Sequence, residues 1–145
     1  MLFTSHFGNN WYYRYVVLVN WVFSVSFVSM SISVAIVEDN NDIRHALEQI
    51  VEMADGCTLS CSCVSGEDAL EKLPAFQPNV VLMDIHLGGI NGIEVVRELK
   101  PNNPDILFMM CTIYEEDEKI FEALSAGASG YITKKTTPGK MLEAI

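Results

Sequence analysis

The sequence predicts an α/β protein in which five strands alternate with five helices, forming a doubly wound (βα)5 parallel sheet. Two observations support this prediction. Beyond Met30, short apolar runs alternate five times with segments of helical periodicity, and two of these runs are apolar throughout. Continuous apolar runs are typical of strands covered on both faces. Because crossovers are right-handed, few topologies remain, and the strand order 2-1-3-4-5 is the common one at this size.

Each element has its own local signal. The expected strands are residues 31–37, 57–64, 80–83, 106–110 and 131–133. The expected helices follow the capping residues Asn40, Ser65 and Asn91, then the acidic run 115–118, and finally Thr137-Pro138. The chain ends at Ile145, about two turns into the last helix, and we expect that helix to be truncated.

Two helices carry more specific expectations. The second is expected to be short, because Pro74 interrupts it. The fourth is expected to bury Ile120, Phe121 and Leu124 and to end at Gly127.

Composition limits the partners. The chain has 145 residues, enough for one domain, and 19 acidic against 9 basic residues give a net charge of −10. Such a field repels nucleic acid and anionic membranes. We therefore expect no DNA binding by this chain alone.

The four cysteines invite a metal or disulfide interpretation. Cys57, Cys61 and Cys63 differ by even steps, so a regular strand would place them on one face, where they cannot surround a metal ion. Neighbours at i and i+2 on a strand are also poorly placed for a disulfide. Together with Cys111, they are better explained as reduced thiols in a reducing cytosol, where we expect the protein to act.

The first 29 residues differ from the rest. Residues 15–37 carry no charge, and a cluster of aromatic residues precedes them, which raises the question of a membrane anchor. Asn20 and several serines dilute the run, and its end is needed as the first strand. We expect residues 1–29 to be an upstream extension outside the natural domain, which would begin at Met30. An anchor or an extra packed element remains the alternative.

Polar residues stand where the apolar runs stop, and the carboxyl ends of parallel strands share one edge of the sheet. The residues at these ends are Glu38 and Asp39, Asp84, Thr112 and Lys134. Ligands bind at this edge in open α/β sheets. Three adjacent carboxylates repel one another unless a cation joins them, and Mg²⁺ is the natural choice. A phosphoryl group could then approach Asp84, with Lys134 and Thr112 taking its other oxygens.

Residues 30–145 resemble the receiver domain of bacterial two-component response regulators, which has a flavodoxin-like fold. The motifs that carry the resemblance are Glu38-Asp39 after the first strand, Asp84 with Gly92 eight positions later, Thr112 after the fourth strand, and Tyr131-x-x-Lys134 on the fifth. The stretch 127–135 is similar to the LuxR/NarL subfamily, whose members usually carry a C-terminal helix-turn-helix DNA-binding domain.

The resemblance implies a role for each matching residue. Asp84 would be the phosphoacceptor and a sensor histidine kinase the donor. Asp39, Asp84 and the backbone carbonyl of His86 would bind Mg²⁺, with Glu38 reaching it through water. Thr112 and Tyr131 would form the switch pair.

The resemblance also implies how long the phosphate on Asp84 would last and which response it would trigger. The side chains of His86 and Tyr114 would flank the path of the hydrolytic water and set the lifetime of the phosphate. Phosphorylation would favour a homodimer that controls transcription through an output domain absent from this chain. A stand-alone receiver acting through protein–protein contacts is the alternative. In either case the protein would be a phosphoacceptor that assists its own phosphorylation and dephosphorylation, not an enzyme, and no membrane association is expected.

One departure from the family lies beside Asp84. The family usually has Met-Pro three positions after the phosphoacceptor, whereas Leu87-Gly88 stands here, and Gly88-Gly89 predicts a more flexible loop. Other phosphate-handling classes fit less well. Dehalogenase-type phosphatases need a second aspartate where His86 stands, and an FMN-binding first loop would not be as acidic as residues 38–42.

Overall fold

The computed structural model describes residues 30–113 and 117–145. The strands are β1 (Ile32–Val37), β2 (Cys57–Cys63), β3 (Val80–Met83), β4 (Leu107–Thr112) and β5 (Gly130–Thr133). The helices are α1 (Asn41–Glu52), α2 (Gly66–Phe76), α3 (Gly92–Leu99), α4 (Asp117–Ala126) and α5 (Pro138–Ala144). The predicted alternation of strand and helix is confirmed. The proposed extension at residues 1–29 and Tyr114 lie outside the described residues.

The strands form one parallel sheet in the order β2-β1-β3-β4-β5, as predicted. Apolar side chains pack on both faces. The larger cluster includes Val81, Phe108 and residues of α2, α3 and α4. The smaller one joins Ile36 and Leu82 to α1 and α5. Burial on both faces explains the continuous apolar runs.

The cysteines of β2 do not share one face, so that prediction was wrong. The register with β1 pairs Val34 with Leu59 but Ala35 with Cys61, and this irregularity leaves Ser60 without an opposite residue. One extra residue reverses the alternation of side chains between the two faces. Cys57 therefore packs against the smaller cluster. Cys61 and Cys63 belong with the larger one. All four cysteines are free thiols.

The prediction that Pro74 ends α2 was also wrong. Pro74 lies inside the helix, which continues to Phe76 and ends where Gln77 adopts a left-handed conformation with φ 46°. A proline this close to the end removes one backbone hydrogen bond, and the few residues beyond it remain helical.

Helix α4 buries a different stripe from the one predicted. Phe121 is 74% exposed and Leu124 is 49% exposed, whereas Ala123 is fully buried. The helix docks through Ala123 and Ala126, whose small side chains contact the larger cluster, so its bulkiest residues turn outward. Within the described ranges, no helix has the length and apolar character needed to cross a membrane.

Candidate functional site

The acidic residues after β1 and β3 are neighbours because these two strands are in register at their carboxyl ends. Val37 pairs with Met83, the last residue of β3. The N–H of Asp84 donates to the carbonyl of Val37 at 3.0 Å, which extends the ladder by one step. Asp84 is thereby held beside Glu38 and Asp39, as the strand order predicted.

The three carboxylates form a compact cluster. Glu38, Asp39 and Asp84 each present an oxygen within 4.8 Å of the others. Glu38 is 2% exposed and Asp84 is 5% exposed, while Asp39 lies at the surface. Among the described residues, the buried Oδ1 of Asp84 has no hydrogen-bond partner. An all-oxygen donor set of this charge, open to water on one side, fits a hard divalent cation such as Mg²⁺.

Lys134 provides the positive charge at this edge. Its Nζ lies 2.5 Å from Oε2 of Glu38 and 3.0 Å from Oδ2 of Asp84. Burial alone would lower the pKa of this ammonium group, but its hydrogen bonds and charge attraction to the two carboxylates outweigh burial and leave the pKa raised. Lys134 therefore stays protonated and holds Asp84 in place.

Glu38 is the most deeply buried member of the cluster. Burial raises its pKa, and its hydrogen bond and attraction to Lys134 oppose that rise only in part. Its other oxygen, Oε1, accepts a hydrogen bond from the N–H of Asn40 at 3.2 Å.

Arg44 is a buried cation that sequence reasoning missed. It donates from Nη1 to the carbonyl of Glu38 at 2.9 Å and from Nη2 to Oδ1 of Asn41 at 2.5 Å. These bonds fix the loop between β1 and α1, and with it the acidic pair. A single arginine in the first turn of a helix carries no sequence signal that separates it from a solvated one.

Thr112 is the last residue of β4 at this edge, and Tyr131 lies on the neighbouring strand β5. Thr112 is fully buried, and its Oγ1 has no hydrogen-bond partner among the described residues. Tyr131 pairs with Met110, two residues before Thr112 on the same strand. Because side chains alternate along a strand, Thr112 and Tyr131 project from the same face of the sheet. The N–H of Lys134 donates to the carbonyl of Thr112 at 2.9 Å, which ties the two strand ends together.

The loop after β3 passes close to α3. A Cβ atom on Gly92 would lie 2.0 Å from the carbonyl oxygen of Asp84, so only glycine permits this approach. His86 is exposed on this loop. It lines an open cleft of about 300 Å³ together with Ile85, Leu87, Gly88, Asn91 and Lys119.

Five parallel strands in this order define a doubly wound α/β protein, and its charged side chains gather where the order reverses between β1 and β3, which is where such sheets generally bind ligands. Comparison with known proteins then gives the family. Residues 34–145 match the response regulator receiver domain, and the chain belongs to that family. It is a receiver domain of two-component signalling, as the resemblance implied. Receiver domains are signalling phosphoacceptors and not classical enzymes.

The relatives support the LuxR/NarL assignment. Response regulator GacA of Pseudomonas viridiflava is 37% identical over 114 residues, covering 79% of this chain and 53% of GacA. Transcriptional regulatory protein DegU of Brevibacillus brevis is 29% identical over 114 residues, covering 79% of this chain and 48% of DegU. The chain thus spans about half the length of the curated relatives it matches.

A solved structure agrees with this assignment. It is the crystal structure of a DNA-binding response regulator of the LuxR family from Staphylococcus aureus. It matches with a TM-score of 0.72 at 25% identity, covering 77% of this chain and 92% of that chain.

Proposed function

We propose that this receiver accepts a phosphoryl group on Asp84 from a sensor histidine kinase. The observation that carries the proposal is the unequal pairing of the two oxygens of the Asp84 carboxylate. Its Oδ2 is paired with Lys134 at 3.0 Å, whereas its buried Oδ1 has no partner among the described residues. Burying an unpaired carboxylate oxygen is costly, so this oxygen is retained for a group that arrives during function.

The chemistry follows from this arrangement. An oxygen of Asp84 attacks the phosphorus of a phosphohistidine, forming an O–P bond while the P–N bond breaks and its electron pair stays on the histidine nitrogen. Lys134 then pairs with an oxygen of the transferred group, and the hydroxyl of Thr112 donates to another. These contacts supply the positioning and charge stabilisation that phosphoryl transfer requires.

Mg²⁺ fits the acidic cluster, and we assign its direct ligands to Asp39, Asp84 and the carbonyl of His86. Both oxygens of Glu38 are already engaged, Oε2 by Lys134 at 2.5 Å and Oε1 by the N–H of Asn40 at 3.2 Å, so Glu38 would reach the metal through water. When bound, the ion would neutralise charge between the carboxylates and the incoming phosphoryl oxygens.

The output is proposed from the relatives and the switch geometry. Thr112 and Tyr131 share a face of the sheet, so a hydroxyl drawn toward the phosphate leaves space that the ring can fill. The change would promote a homodimer and control transcription through a C-terminal helix-turn-helix domain. A stand-alone receiver that acts through protein–protein contacts is the alternative. We also propose that the protein acts in the cytoplasm without associating with a membrane. Residues 1–29 are not needed for this function in the proposal.

Phosphorylation of Asp84 can be tested directly. Incubation with acetyl phosphate and Mg²⁺ should add one phosphoryl group by intact mass, and Asp84→Asn should abolish it. Asp105→Asn, which makes the same change at an exposed position, should label normally. Equal labelling of Asp84→Asn and the wild-type protein would refute the assignment.

The metal is tested with the same assay. A chelator should block labelling, and Asp39→Ala should raise the Mg²⁺ requirement more than Glu38→Ala does, because Asp39 is the proposed direct ligand. Labelling that continues at full rate in chelator would rule out the metal.

A further inference from the structure

The β3–α3 loop (residues 84–91) carries both the proposed phosphoacceptor and the proposed carbonyl ligand. The N–H groups of Leu87 and Gly92 both donate to the carbonyl of Ile85, at 3.2 and 3.0 Å, which ties the two ends of the loop together. Its second half contains Gly88 and Gly89. Glycine is the least restrained residue, so an outside contact is needed to hold this half.

That contact comes from the first turn of α2. The N–H of Ile90 donates to Oε1 of Glu67 at 3.1 Å. Two glycines make the approach possible. A Cβ atom on Gly89, where φ is +92°, would lie 2.4 Å from the same Oε1. A Cβ atom on Gly66 would lie 2.3 Å from the carbonyl oxygen of Ile90. The loop and the helix terminus therefore fit closely at this point.

The first turn of α2 is itself well anchored, which makes it an effective support. Asp68 accepts hydrogen bonds from the N–H of Val64 at 3.0 Å and from Nζ of Lys72 at 2.9 Å. Lys72 also donates to the carbonyl of Ser62 at 3.2 Å, and Ser65 caps the helix by accepting from the N–H of Asp68. The end of β2 and the start of α2 thus form one hydrogen-bonded unit.

The carboxylate of Glu67 is charged when it makes this contact. Backbone N–H groups, its own and that of Ile90, lower its pKa because they stabilise the ionised form. A hydrogen bond to a charged acceptor is stronger than one between neutral groups.

We propose that Glu67 is a positioning residue for the phosphorylation site. It holds the Ile90 amide and so fixes the β3–α3 loop, including the His86 carbonyl, relative to Asp84. The inference rests on the proposed function, because it assigns a role in the same site.

The first test needs no metal. In metal-free protein, amide hydrogen exchange at Ile90 should be about fivefold faster in Glu67→Ala, the effect of losing one such bond. Glu67→Gln keeps an oxygen acceptor and should recover most of the protection. Glu71→Ala removes the same charge one turn further along α2, at an exposed position, and should leave exchange at Ile90 unchanged. Equal protection in Glu67→Ala and the wild-type protein would overturn the inference.

The second test uses phosphorylation. With acetyl phosphate as donor, Glu67→Ala should raise the half-saturating Mg²⁺ concentration about three- to tenfold, with a smaller change in the rate at saturating Mg²⁺. Glu67→Gln should restore it. Gly89→Ala should reproduce the defect, since its Cβ collides with the same carboxylate.

The outcomes separate the two proposals. If the wild-type protein labels with Mg²⁺ but Glu67→Ala keeps the wild-type Mg²⁺ requirement, the positioning role is wrong and the proposed function stands. If the wild-type protein does not label at all, the proposed function itself has failed.

Discussion

Lys134→Met should destabilise the folded protein strongly, because it leaves two buried carboxylates without their common cation. Glu38 and Asp84 present oxygens within 4.8 Å of each other, which at an effective dielectric constant of about 20 gives a repulsion of about 3.5 kcal/mol. Removing one partner of a buried ion pair generally costs about 3–5 kcal/mol. We therefore expect a loss of about 3 kcal/mol in the free energy of unfolding at pH 8 without Mg²⁺.

The loss should depend on pH and on Mg²⁺. The pKa of Glu38 is already raised in the folded protein, and without the ammonium group it rises further. A raised pKa in the folded state contributes stability at low pH that is lost as pH rises through that pKa. The defect should therefore be smaller near pH 5 and larger near pH 8. Mg²⁺ should stabilise the variant more than the wild-type protein, because it replaces the missing charge.

Urea unfolding with and without Mg²⁺ measures both effects. Lys135→Met is the matched control, since it removes the same charge from an adjacent exposed residue. Methionine keeps most of the aliphatic stem, so lost packing contributes little. A loss below about 1 kcal/mol, or one equal to that of Lys135→Met, would contradict the reasoning, since exposed charges contribute about that or less.

Three further predictions follow from the chain. A protein that begins at Met30 should be soluble, melt cooperatively and label with phosphate normally. Aggregation of this shorter chain, or partition of the full chain into membranes, would show that residues 1–29 are a real element. Replacing His86 by Asn and Tyr114 by Ala should accelerate dephosphorylation several-fold, a barrier change on the order of 1 kcal/mol, because by the family resemblance these two positions would flank the path of the hydrolytic water. An unchanged or slower decay would show that they do not. Burial raises the pKa of Cys63 and of Cys111 to about 12, so stability should fall as pH rises above about 9, where the unfolded thiols ionise. Cys63→Ala should make this fall shallower in urea unfolding, and equal slopes would contradict the account.

The sequence predicted which residues lie together at the carboxyl edge of the sheet, because the end of each strand has a signal in the local sequence. Each apolar run stops at a polar residue, and parallel strands bring their stops to one side. The pattern of the chain alone therefore places Glu38, Asp84 and Lys134 together, and they are in contact. The metal, phosphate and switch roles assigned to these residues remain predictions.

The features that the sequence did not predict depend on how helices and loops pack against one another. The residues that decide this packing are spread over several elements. The exposure of Phe121 reflects how α4 docks through Ala123, which residue size alone does not reveal. The contact of Glu67 with Ile90 joins residues 23 positions apart, and neither carries a motif. Helix propensity and periodicity describe local sequence, so they cannot predict a contact between residues this far apart in the chain.

The irregularity at Ser60 also bears on how the protein avoids self-association. β2 lies at one edge of the sheet, where unpaired backbone groups could recruit a strand from another molecule. The extra residue breaks the regular spacing of those groups midway along a seven-residue strand. An incoming strand could align with one half of β2 but not with both. A regular β2, made by deleting Ser60, would present an uninterrupted template for edge-to-edge aggregation.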